Sequence, residues 1–174
     1  MPPLHVTLRN MKTICLSQNK VALVDDVDFE WLSKYKWCVK TCGKNLYAQR
    51  GEGPRKNNRK IYMHREILEL ADPRIEVDHI NHNTLDNRRC NIRPCTRAQN
   101  MHNARGRERT SKFKGVHMHG DGKKWTAQCR HKYLGLFDSE KDAALAYDKA
   151  AKEEFMEFAH LNFPLNRRTR TTQQ

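Results

Sequence analysis

Long apolar runs are missing from this chain of 174 residues. Hydrophobic residues make up only 37% of it, which is below the usual share of a globular domain. Without a long apolar stretch a transmembrane helix is not expected, and the N-terminus lacks the apolar core of a signal peptide. Because so little apolar material is available, we expect two or three small units, not one large core, in a protein of a reducing compartment.

Tightly spaced cysteine pairs are also missing. Six cysteines are present, but none forms the Cys-x2-Cys pair typical of structural zinc sites. Two looser pairs, Cys38 with Cys42 and Cys90 with Cys95, leave a four-sulfur zinc site as an alternative. Without a secretion signal a disulfide framework is not expected. The preferred interpretation is buried thiols that pack as small hydrophobic groups, and zinc is disfavoured.

Acidic residues are outnumbered by basic ones. The chain holds 33 Lys and Arg against 20 Asp and Glu, a formal net charge of +13, which predicts a polyanionic partner. The charge is also sorted along the chain. Residues 111–137 hold six basic residues and one acidic residue, whereas residues 138–157 hold three basic and seven acidic ones. The C-terminal part is therefore expected to place a cationic element beside an anionic one.

A basic segment of low apolar content precedes this part. Arg105 and Arg107 lie in the run 104–111, and Lys114 follows it. Such a run is typical of a linker. A solvated tether is one interpretation, and a basic arm that follows DNA phosphates is the preferred one.

Residues 113–155 carry the signals of three short strands and one helix. Gly120-Asp121-Gly122 predicts the first turn, and a tight connection is expected at His131-Lys132. Ser139 is the predicted N-cap of the helix, with Asp142 completing a capping box. Beyond it an apolar residue recurs every fourth position. The pattern therefore predicts a three-stranded antiparallel sheet packed on one helix.

Five blocks of this region resemble, in order, the APETALA2/ethylene-response-factor DNA-binding domain. They are Ser111-Lys112-Phe113-Lys114-Gly115-Val116, Trp125-Thr126-Ala127-Gln128, Leu134-Gly135-Leu136-Phe137-Asp138, the helical segment 143–151, and Leu161-Asn162-Phe163. The resemblance covers residues 110–163. It implies that double-stranded DNA is the partner and that the sheet lies in the major groove, which agrees with the sorting of charge.

The same resemblance implies a set of DNA contacts on the sheet. The matching positions are His117, His119, Lys124, Trp125, Gln128, Arg130 and Lys132, with Tyr133 shaping the surface. Packing is the alternative role for Trp125. Plant members usually have arginines where His117 and His119 stand. Because arginine is the standard reader of guanine, their usual target sequence is not expected here.

A second chemistry-bearing region lies upstream, at residues 76–100. The sequence predicts a strand at 76–80, a polar loop, a second strand from Ile92, and a helix that starts near Arg97. The helix start is marked by the capping box Thr96-x-x-Gln99. The expected arrangement is therefore a strand, a loop, a second strand and a short helix.

The pair Asp78-His79 ends the first of these strands. An imidazole deprotonates water near neutral pH, and Asp78 together with Asn100 offers oxygen ligands for one divalent cation. These are the two requirements of phosphodiester hydrolysis. By itself an Asp-His pair is more often solvated or structural, so the interpretation depends on the longer pattern.

That longer pattern resembles an HNH endonuclease of the phage homing type. Its blocks are Met63-His64-Arg65, Val77-Asp78-His79-Ile80, residues 85–93 and Thr96-x-x-Gln99-Asn100. The resemblance implies that His79 is the general base and that Asn91 braces the loop and orients this histidine. It also implies that Asp78 and Asn100 hold one Mg²⁺ or Mn²⁺ per active site. Candidate phosphate clamps are Arg65, Arg93 and Arg97.

The whole chain is expected to be α+β, with N-terminal short strands leading into a ββα-metal finger. The expected parts are a β-rich support segment at 1–62, the HNH ββα-metal nuclease module at 63–104, a basic linker at 105–111, an APETALA2-type domain at 112–164, and a basic tail at 165–174. No membrane partner and no protein partner is expected. Within the support segment, only short strands are predicted.

The expected function is that of a sequence-recognising DNA endonuclease. By resemblance it acts as a homing endonuclease in the cytoplasm of a bacterial or phage-infected cell. One alternative is a DNA-binding transcriptional regulator that does not cleave. A second alternative is a basic RNA-binding protein.

Overall fold

The computed structural model of the protein describes residues 11–104 and 110–164. Across these residues the chain is α+β, with four small antiparallel sheets and four α-helices. It divides into two compact units, Met1–Arg97 and Ala98–Gln174. The predicted basic tail and most of the predicted linker, including Arg105 and Arg107, lie outside the described residues. No helix in the described ranges has the length and apolar character needed to cross a membrane.

The first unit is built from short strands and two short helices. In chain order they are β1 (Met11–Cys15), β2 (Val21–Asp25), α1 (Asp26–Leu32), β3 (Cys38–Cys42), β4 (Asn45–Glu52), β5 (Arg59–Tyr62), α2 (Met63–Ile67), β6 (Glu76–His79) and β7 (Ile92–Cys95). β1 pairs with β2, β6 pairs with β7, and β4 lies between β3 and β5. A one-turn 3-10 helix, Arg55–Asn57, precedes β5.

The β1–β2 hairpin follows from its sequence pattern. Ile14 lies opposite Ala22 in the register, and both are buried together with Val24, since alternate residues of a strand share one face. The turn between the strands takes a left-handed backbone at Gln18 and Asn19, with φ angles of 60° and 54°. The buried face of this hairpin packs in the hydrophobic core of the first unit.

One hydrophobic core joins the N-terminal strands to the strands of the predicted nuclease module. Leu32, Trp37, Met63, Ile67 and Ile92 are buried in the same cluster. The Trp37 indole N–H donates to the carbonyl oxygen of Leu32 at 2.8 Å, so this polar group is satisfied inside the core. The predicted boundary between residues 62 and 63 therefore falls within a continuous core.

Helices α1 and α2 were not predicted: only strands were expected before residue 63, and no helix was expected at the block Met63-His64-Arg65. Both are short, at seven and five residues, and isolated helices of this length are unstable in water. Tertiary contacts stabilise them. α1 buries Leu32, and α2 buries Met63 and Ile67 one turn apart. A periodicity signal needs a longer window than these helices offer.

The second unit opens with the helix that carries Asn100. Its elements are α3 (Arg97–Asn103), β8 (Val116–Met118), β9 (Trp125–Cys129), β10 (Lys132–Phe137) and α4 (Glu140–Phe155), followed by a 3-10 turn, Met156–Phe158. β9 is the central strand of the three-stranded sheet. α4 lies against this sheet and buries Ala143, Ala144, Tyr147 and Ala151, so the predicted sheet on one helix is observed.

Two local details test the sequence signals in this unit. The Ser139 side chain accepts a hydrogen bond from the backbone N–H of Lys141 at 3.2 Å, which makes it the N-cap of α4 as predicted. The tight connection lies one residue earlier than predicted, at Arg130 and His131, because Cys129 pairs with Lys132. Arg130 accordingly takes a left-handed φ of 51°.

Candidate active site and DNA-binding surface

Strand β6 carries Asp78 and His79 as its last two residues. β7 runs antiparallel to it, with Arg93 opposite Asp78 and Ile92 opposite His79. Both β6 side chains are buried, with 3% exposure for Asp78 and 5% for His79. Of the two ordinary alternatives, a solvated Asp-His pair would be open to water, whereas a structural pair would also be buried. The structure places both groups inside the first unit.

The Asp78 carboxylate is paired with Arg93. The guanidinium donates to Oδ2 of Asp78 through Nε at 2.9 Å and through Nη2 at 2.7 Å. The arginine is itself mostly buried, with a side-chain exposure of 16%. A buried carboxylate needs such a partner, because an isolated charge in this environment is costly. Arg93 therefore balances the charge of Asp78 in this state, whereas its role as a phosphate clamp stays a prediction.

Burial lowers the pKa of His79 from its ordinary value, since the charged imidazolium is disfavoured away from water. A side-chain hydrogen bond with Asn87 and the negative charges of Asp78 and Asp86 act in the opposite direction. Desolvation is the largest of these effects. A neutral imidazole is the form that accepts a proton, so His79 is held in the state that a general base requires.

An aromatic cluster that the sequence motif did not reveal surrounds His79. The ring of His64, on α2, lies 5.3 Å from that of His79, edge to face. Tyr47 lies 6.2 Å from His79 and 5.6 Å from His64, and Tyr62 stacks on His64 at 5.5 Å. Only the tertiary packing of β4, β5, α2 and β6 brings these four rings together.

His64 is the most unusual member of this cluster. It is buried, and its Nδ1 atom has no hydrogen-bond partner among the described residues. Desolvation, followed by the nearby His79 and Arg65, lowers the pKa of His64 to about 3. His64 is therefore neutral at physiological pH and adds no positive charge next to His79.

Asn91 ties the loop between β6 and β7 together. Its side-chain amide donates to the carbonyl oxygen of Asp86 at 2.7 Å, and its Oδ1 accepts from the backbone N–H of Asn81 at 3.0 Å. Asp86 in turn accepts from Arg88 through Nε at 2.7 Å and from the Asn81 amide at 2.8 Å. Hydrogen bonds between side chains and backbone thus hold the loop together. The catalytic role of Asn91 stays a prediction.

The N-terminal segment holds this loop from the other side. The Arg89 guanidinium donates to both oxygens of Asp28 on α1, each at 2.8 Å, and its backbone N–H donates to Asp25 at 2.7 Å. Leu23 on β2 exchanges backbone hydrogen bonds with the loop, donating to Leu85 and accepting from Asn87, each at 2.8 Å. Hydrogen bonds therefore attach the β6–β7 loop to the β1–β2 hairpin and to α1.

The other two predicted clamps differ in their surroundings. The Arg65 guanidinium donates to the carbonyl oxygens of Ile75, Leu70 and Asp72 at 2.6, 3.2 and 2.7 Å. It therefore holds the segment after α2. Arg97 is exposed at the start of α3, where its side chain is open to a phosphate. Phosphate contact by either arginine stays a prediction.

The predicted metal ligands lie in different units, Asp78 in the first and Asn100 in the second. Their donors are a carboxylate oxygen and an amide oxygen, which suit Mg²⁺ or Mn²⁺ better than a soft metal. The Asp78 carboxylate is buried, and the Arg93 guanidinium already donates two hydrogen bonds to its Oδ2 atom, so a metal ion at Asp78 would have to share this carboxylate with Arg93. Among the described residues no group of three or more His, Cys, Asp or Glu side chains is placed to hold a metal.

In the second unit the sheet has one face against α4 and one face away from it. His117, Gln128, Tyr133 and Leu136 are exposed, and the register places Gln128 opposite Tyr133 and Leu136 opposite Thr126. Trp125 lies on the other side, half-buried against the core cluster of Val116 and Ala127. Its predicted DNA contact is thus accompanied by a packing role.

The basic residues of the sheet have few strong partners within the unit. Lys124 pairs with Asp138 at 3.1 Å and Arg130 with Glu154 at 3.2 Å, and all four side chains are at least 40% exposed. Exposed ion pairs of this kind contribute little free energy, so these cations can exchange their partners for phosphates. His119 and Lys132 are also exposed.

Lys114 is different from these cations. Its ammonium donates to the carbonyl oxygens of His102 and Ala104, each at 2.6 Å, at the C-terminal end of α3. Burial lowers the pKa of Lys114 from its ordinary value. The structure therefore directs this lysine towards the Asn100 helix, and its predicted contact with phosphates stays a prediction.

Comparison with known proteins shows two similarities. Residues 62–102 match the family model of the HNH endonucleases. A stretch of 58 residues is 43% identical to the dehydration-responsive element-binding protein 2D of Arabidopsis thaliana, and this match covers 30% of the chain and 28% of that relative. No solved structure matches the chain. The predicted combination of a segment similar to the HNH endonucleases with a segment similar to a plant element-binding protein is confirmed.

Proposed function

We propose that this chain is a metal-dependent DNA endonuclease that recognises its target sequence through its C-terminal sheet. The observation that carries the proposal is the burial of a neutral His79 directly beside Asp78, within a segment that matches the HNH endonucleases. The order of strand, loop, strand and helix at residues 76–103 supports the proposal that this segment forms a ββα-metal finger. The similarity to a plant element-binding protein supports DNA as the partner.

In the proposed reaction His79 takes a proton from a water molecule. The water oxygen forms a bond to phosphorus as the bond from phosphorus to the 3′ oxygen breaks, which leaves a 5′ phosphate. Asp78 and Asn100 would hold a divalent cation, which supplies charge stabilisation at the phosphate and the leaving oxygen. Asn91 holds the loop that follows His79, and His64 and Tyr47 pack against the imidazole and limit its rotation.

Target recognition is proposed for the exposed face of the three-stranded sheet. Gln128 offers a side-chain amide, which pairs with adenine in the major groove. Arg130, in the turn after β9, and Lys132, at the start of β10, are exposed at the same end of the sheet and are suited to phosphates. His117 and His119 offer single donors or acceptors where an arginine would read guanine, so the target sequence should differ from that of arginine-bearing relatives.

The biological role is proposed to be that of a homing endonuclease. The motif blocks around His79 and Asn100 resemble the phage homing type. Such an enzyme promotes the mobility of its own gene or intron by cutting a site that lacks it. This part of the proposal rests on resemblance alone.

A plasmid cleavage assay with Mg²⁺ tests the enzymatic proposal. We expect the intact chain to cut or nick DNA that carries its site, and His79→Ala to abolish cutting with binding retained. His131→Ala, in the exposed turn between β9 and β10, is the matched control and should cut normally. Binding without cleavage by the intact chain would contradict the proposal and favour the non-cleaving regulator.

A further inference from the structure

The helix that carries Asn100 is held by other residues of the second unit. α3 has only seven residues, so its own hydrogen bonds cannot keep it stable. Two contacts fix its last turn. Lys114 donates to the carbonyl oxygens of His102 and Ala104, and the ring of His102 stacks on Phe155 of α4, with centroids 4.0 Å apart and an interplanar angle of 18°.

The contact of Lys114 is well suited to the end of a helix. The last carbonyl groups of a helix have no partners within it, and the helix dipole makes this end negative. An ammonium that bonds two of these oxygens satisfies both requirements, and such charge-assisted bonds are stronger than neutral ones. Lys114 therefore acts as a C-terminal cap that is supplied from outside the helix.

The backbone of Lys114 is itself fixed. Its N–H donates to Oδ1 of Asn162 at 2.7 Å, and its carbonyl oxygen accepts from the amide of Asn162 at 3.1 Å. The backbone N–H groups of Asn162 and Phe163 donate to the two oxygens of Asp148, each at 2.8 Å. Asp148 lies on α4, so a chain of hydrogen bonds runs from α4 through Asn162 to Lys114.

The residue after Lys114 restricts it further. Gly115 has a φ of +74°, and a Cβ atom there would lie 2.0 Å from the ring of Tyr147 on α4. The backbone therefore passes directly over α4 at this point. Helix α4 thus supports both contacts to α3, through Phe155 directly and through Lys114 indirectly.

From these contacts we propose that Lys114 and Phe155 are positioning residues that orient the Asn100 helix for metal binding. The second unit would then contribute to metal binding in the proposed nuclease in addition to its proposed role in DNA binding. This inference rests on the proposed function, because it takes Asn100 as a metal ligand. It gives Lys114 a role that differs from the phosphate contact expected from its place beside the basic linker.

The test uses the full chain with Lys114→Met, which removes the charge and keeps the length of the side chain. Lys112→Met is the matched control, because Lys112 is exposed and lies two residues away. His102→Ala removes the stacking contact between α3 and Phe155 and leaves the core of the second unit intact. Lys114→Arg tests rescue by another cation.

The first readout is amide hydrogen exchange of residues 98–104 in metal-free protein. Lys114→Met and His102→Ala should each raise exchange there by about 10-fold or more, since charge-assisted bonds are lost in the first variant and the stacking contact with Phe155 in the second. Lys112→Met should leave exchange unchanged, and Lys114→Arg should restore part of the protection. Unchanged exchange in both Lys114→Met and His102→Ala would overturn the proposal.

The second readout separates metal positioning from DNA contact. Lys114→Met should raise the Mg²⁺ concentration for half-maximal cleavage and lower kcat, by about 10- to 100-fold in all, as is typical when a group that supports a metal ligand is removed. The Kd for target DNA without metal, and its salt slope, should not change. A weaker Kd with a salt slope lower by about one, and a normal Mg²⁺ requirement, would overturn the proposal in favour of a phosphate contact.

Failure of the proposed function has a different signature. A wild-type chain that binds DNA and never cleaves it would contradict the proposed function, and the catalytic half of this inference with it. The exchange measurement tests in either case whether Lys114 and Phe155 stabilise α3, because it needs neither metal nor cleavage.

Discussion

Arg93 lies directly opposite Asp78 across the β6–β7 pair and donates two hydrogen bonds to one of its carboxylate oxygens, at 2.9 and 2.7 Å. The same arginine was predicted to clamp a phosphate. Pairing with Asp78 and contact with a phosphate would both use the positive charge of Arg93. In this state that charge balances the buried carboxylate of Asp78. The pair therefore makes the stability of the first unit depend on a group of the predicted active site.

Replacing Arg93 by Met should destabilise the first unit. The buried carboxylate of Asp78 would lose its cationic partner, which costs about 3–5 kcal/mol when such a pair is broken on one side. Urea unfolding measures this free energy. Added Mg²⁺ should raise the melting temperature of Arg93→Met more than that of the wild type, because a cation at Asp78 replaces the lost charge.

Arg74→Met is the matched control for this prediction. Arg74 pairs with Asp72 through Nη2 at 2.9 Å, but its side chain is 89% exposed, and exposed pairs of this kind are screened by water. Its removal should leave the unfolding curve unchanged. Equal stability of Arg93→Met and the wild type would contradict the importance of the Asp78–Arg93 pair.

Stability should fall as the pH is lowered below about 6.5, and His64 should cause part of the loss. Its pKa in the folded protein is about 3, against about 6.5 for a histidine in an unfolded chain, so below pH 6.5 the unfolded chain binds a proton that the folded chain does not. The contribution is fully present above pH 6.5 and is lost progressively towards pH 3. Between pH 7.5 and 5.5 the expected loss is about 1.4 kcal/mol.

His64→Phe should remove this share of the pH dependence, since phenylalanine keeps a ring between Tyr47 and Tyr62 and does not titrate. Urea unfolding at pH 7.5 and 5.5 compares the two proteins. His79 also has a lowered pKa, so the variant should retain a smaller slope of the same sign. An identical pH dependence in both proteins would show that His64 is not held neutral.

Gly115→Ala should strongly destabilise the second unit. The added Cβ would meet the Tyr147 ring at 2.0 Å and the carbonyl oxygen of Gln128 at 2.6 Å, and neither group has room to move in a packed interior. We expect a loss of about 3 kcal/mol or more, measured by thermal or urea unfolding. Gly122→Ala is the control, because Gly122 also has a positive φ, of +69°, but has no atom within 4 Å of its Cβ position.

The control should cost only about 1–2 kcal/mol, the price of a left-handed backbone in a residue with a side chain. The difference between the two alanine variants isolates the contact with Tyr147. If Gly115→Ala and Gly122→Ala lower the free energy of unfolding equally, the inferred close approach of the Gly115 backbone to α4 would be contradicted.

Gln128→Ala and Lys132→Ala should affect DNA binding in different ways. Both side chains are exposed on the sheet, but an amide reads a base edge, whereas an ammonium contacts phosphates. Gln128→Ala should lower the discrimination at one base pair by about 1–3 kcal/mol. Lys132→Ala should weaken binding to all sequences and lower the salt slope by about one.

Binding selection from random DNA, followed by titrations at several salt concentrations, measures both effects. Lys123→Ala serves as the control for charge, since Lys123 lies in the exposed turn before β9 and belongs to no predicted contact. Loss of discrimination in Lys132→Ala with none in Gln128→Ala would reverse the roles proposed for these side chains.

The order of elements was largely predictable from local signals. The strand at Glu76–His79, the strand from Ile92 and the helix from Arg97 all start where the pattern of apolar and capping residues indicates. Ser139 caps α4 for the same reason. These features depend on neighbouring residues alone, and local chemistry is what a sequence displays most directly.

The surroundings of the candidate site could not be predicted in the same way. His64 lies 15 positions before His79, and only the packing of α2 against β4 and β5 brings the two rings to 5.3 Å. The pairing of Arg93 with Asp78 needs the register of two strands, which a loop of unknown shape leaves open. Lys114 was predicted to contact DNA, because no local signal shows that its ammonium meets the end of α3.

The hydrogen bonds between Arg89 and Asp28 also bear on how the protein folds. They join residues 61 positions apart, and closing such a long loop costs entropy before the contact is gained. The β6–β7 loop should therefore acquire its shape late, after the β1–β2 hairpin and α1 have formed. If the segment that matches the HNH endonucleases were transferred into another protein, this hairpin and helix would have to be transferred with it.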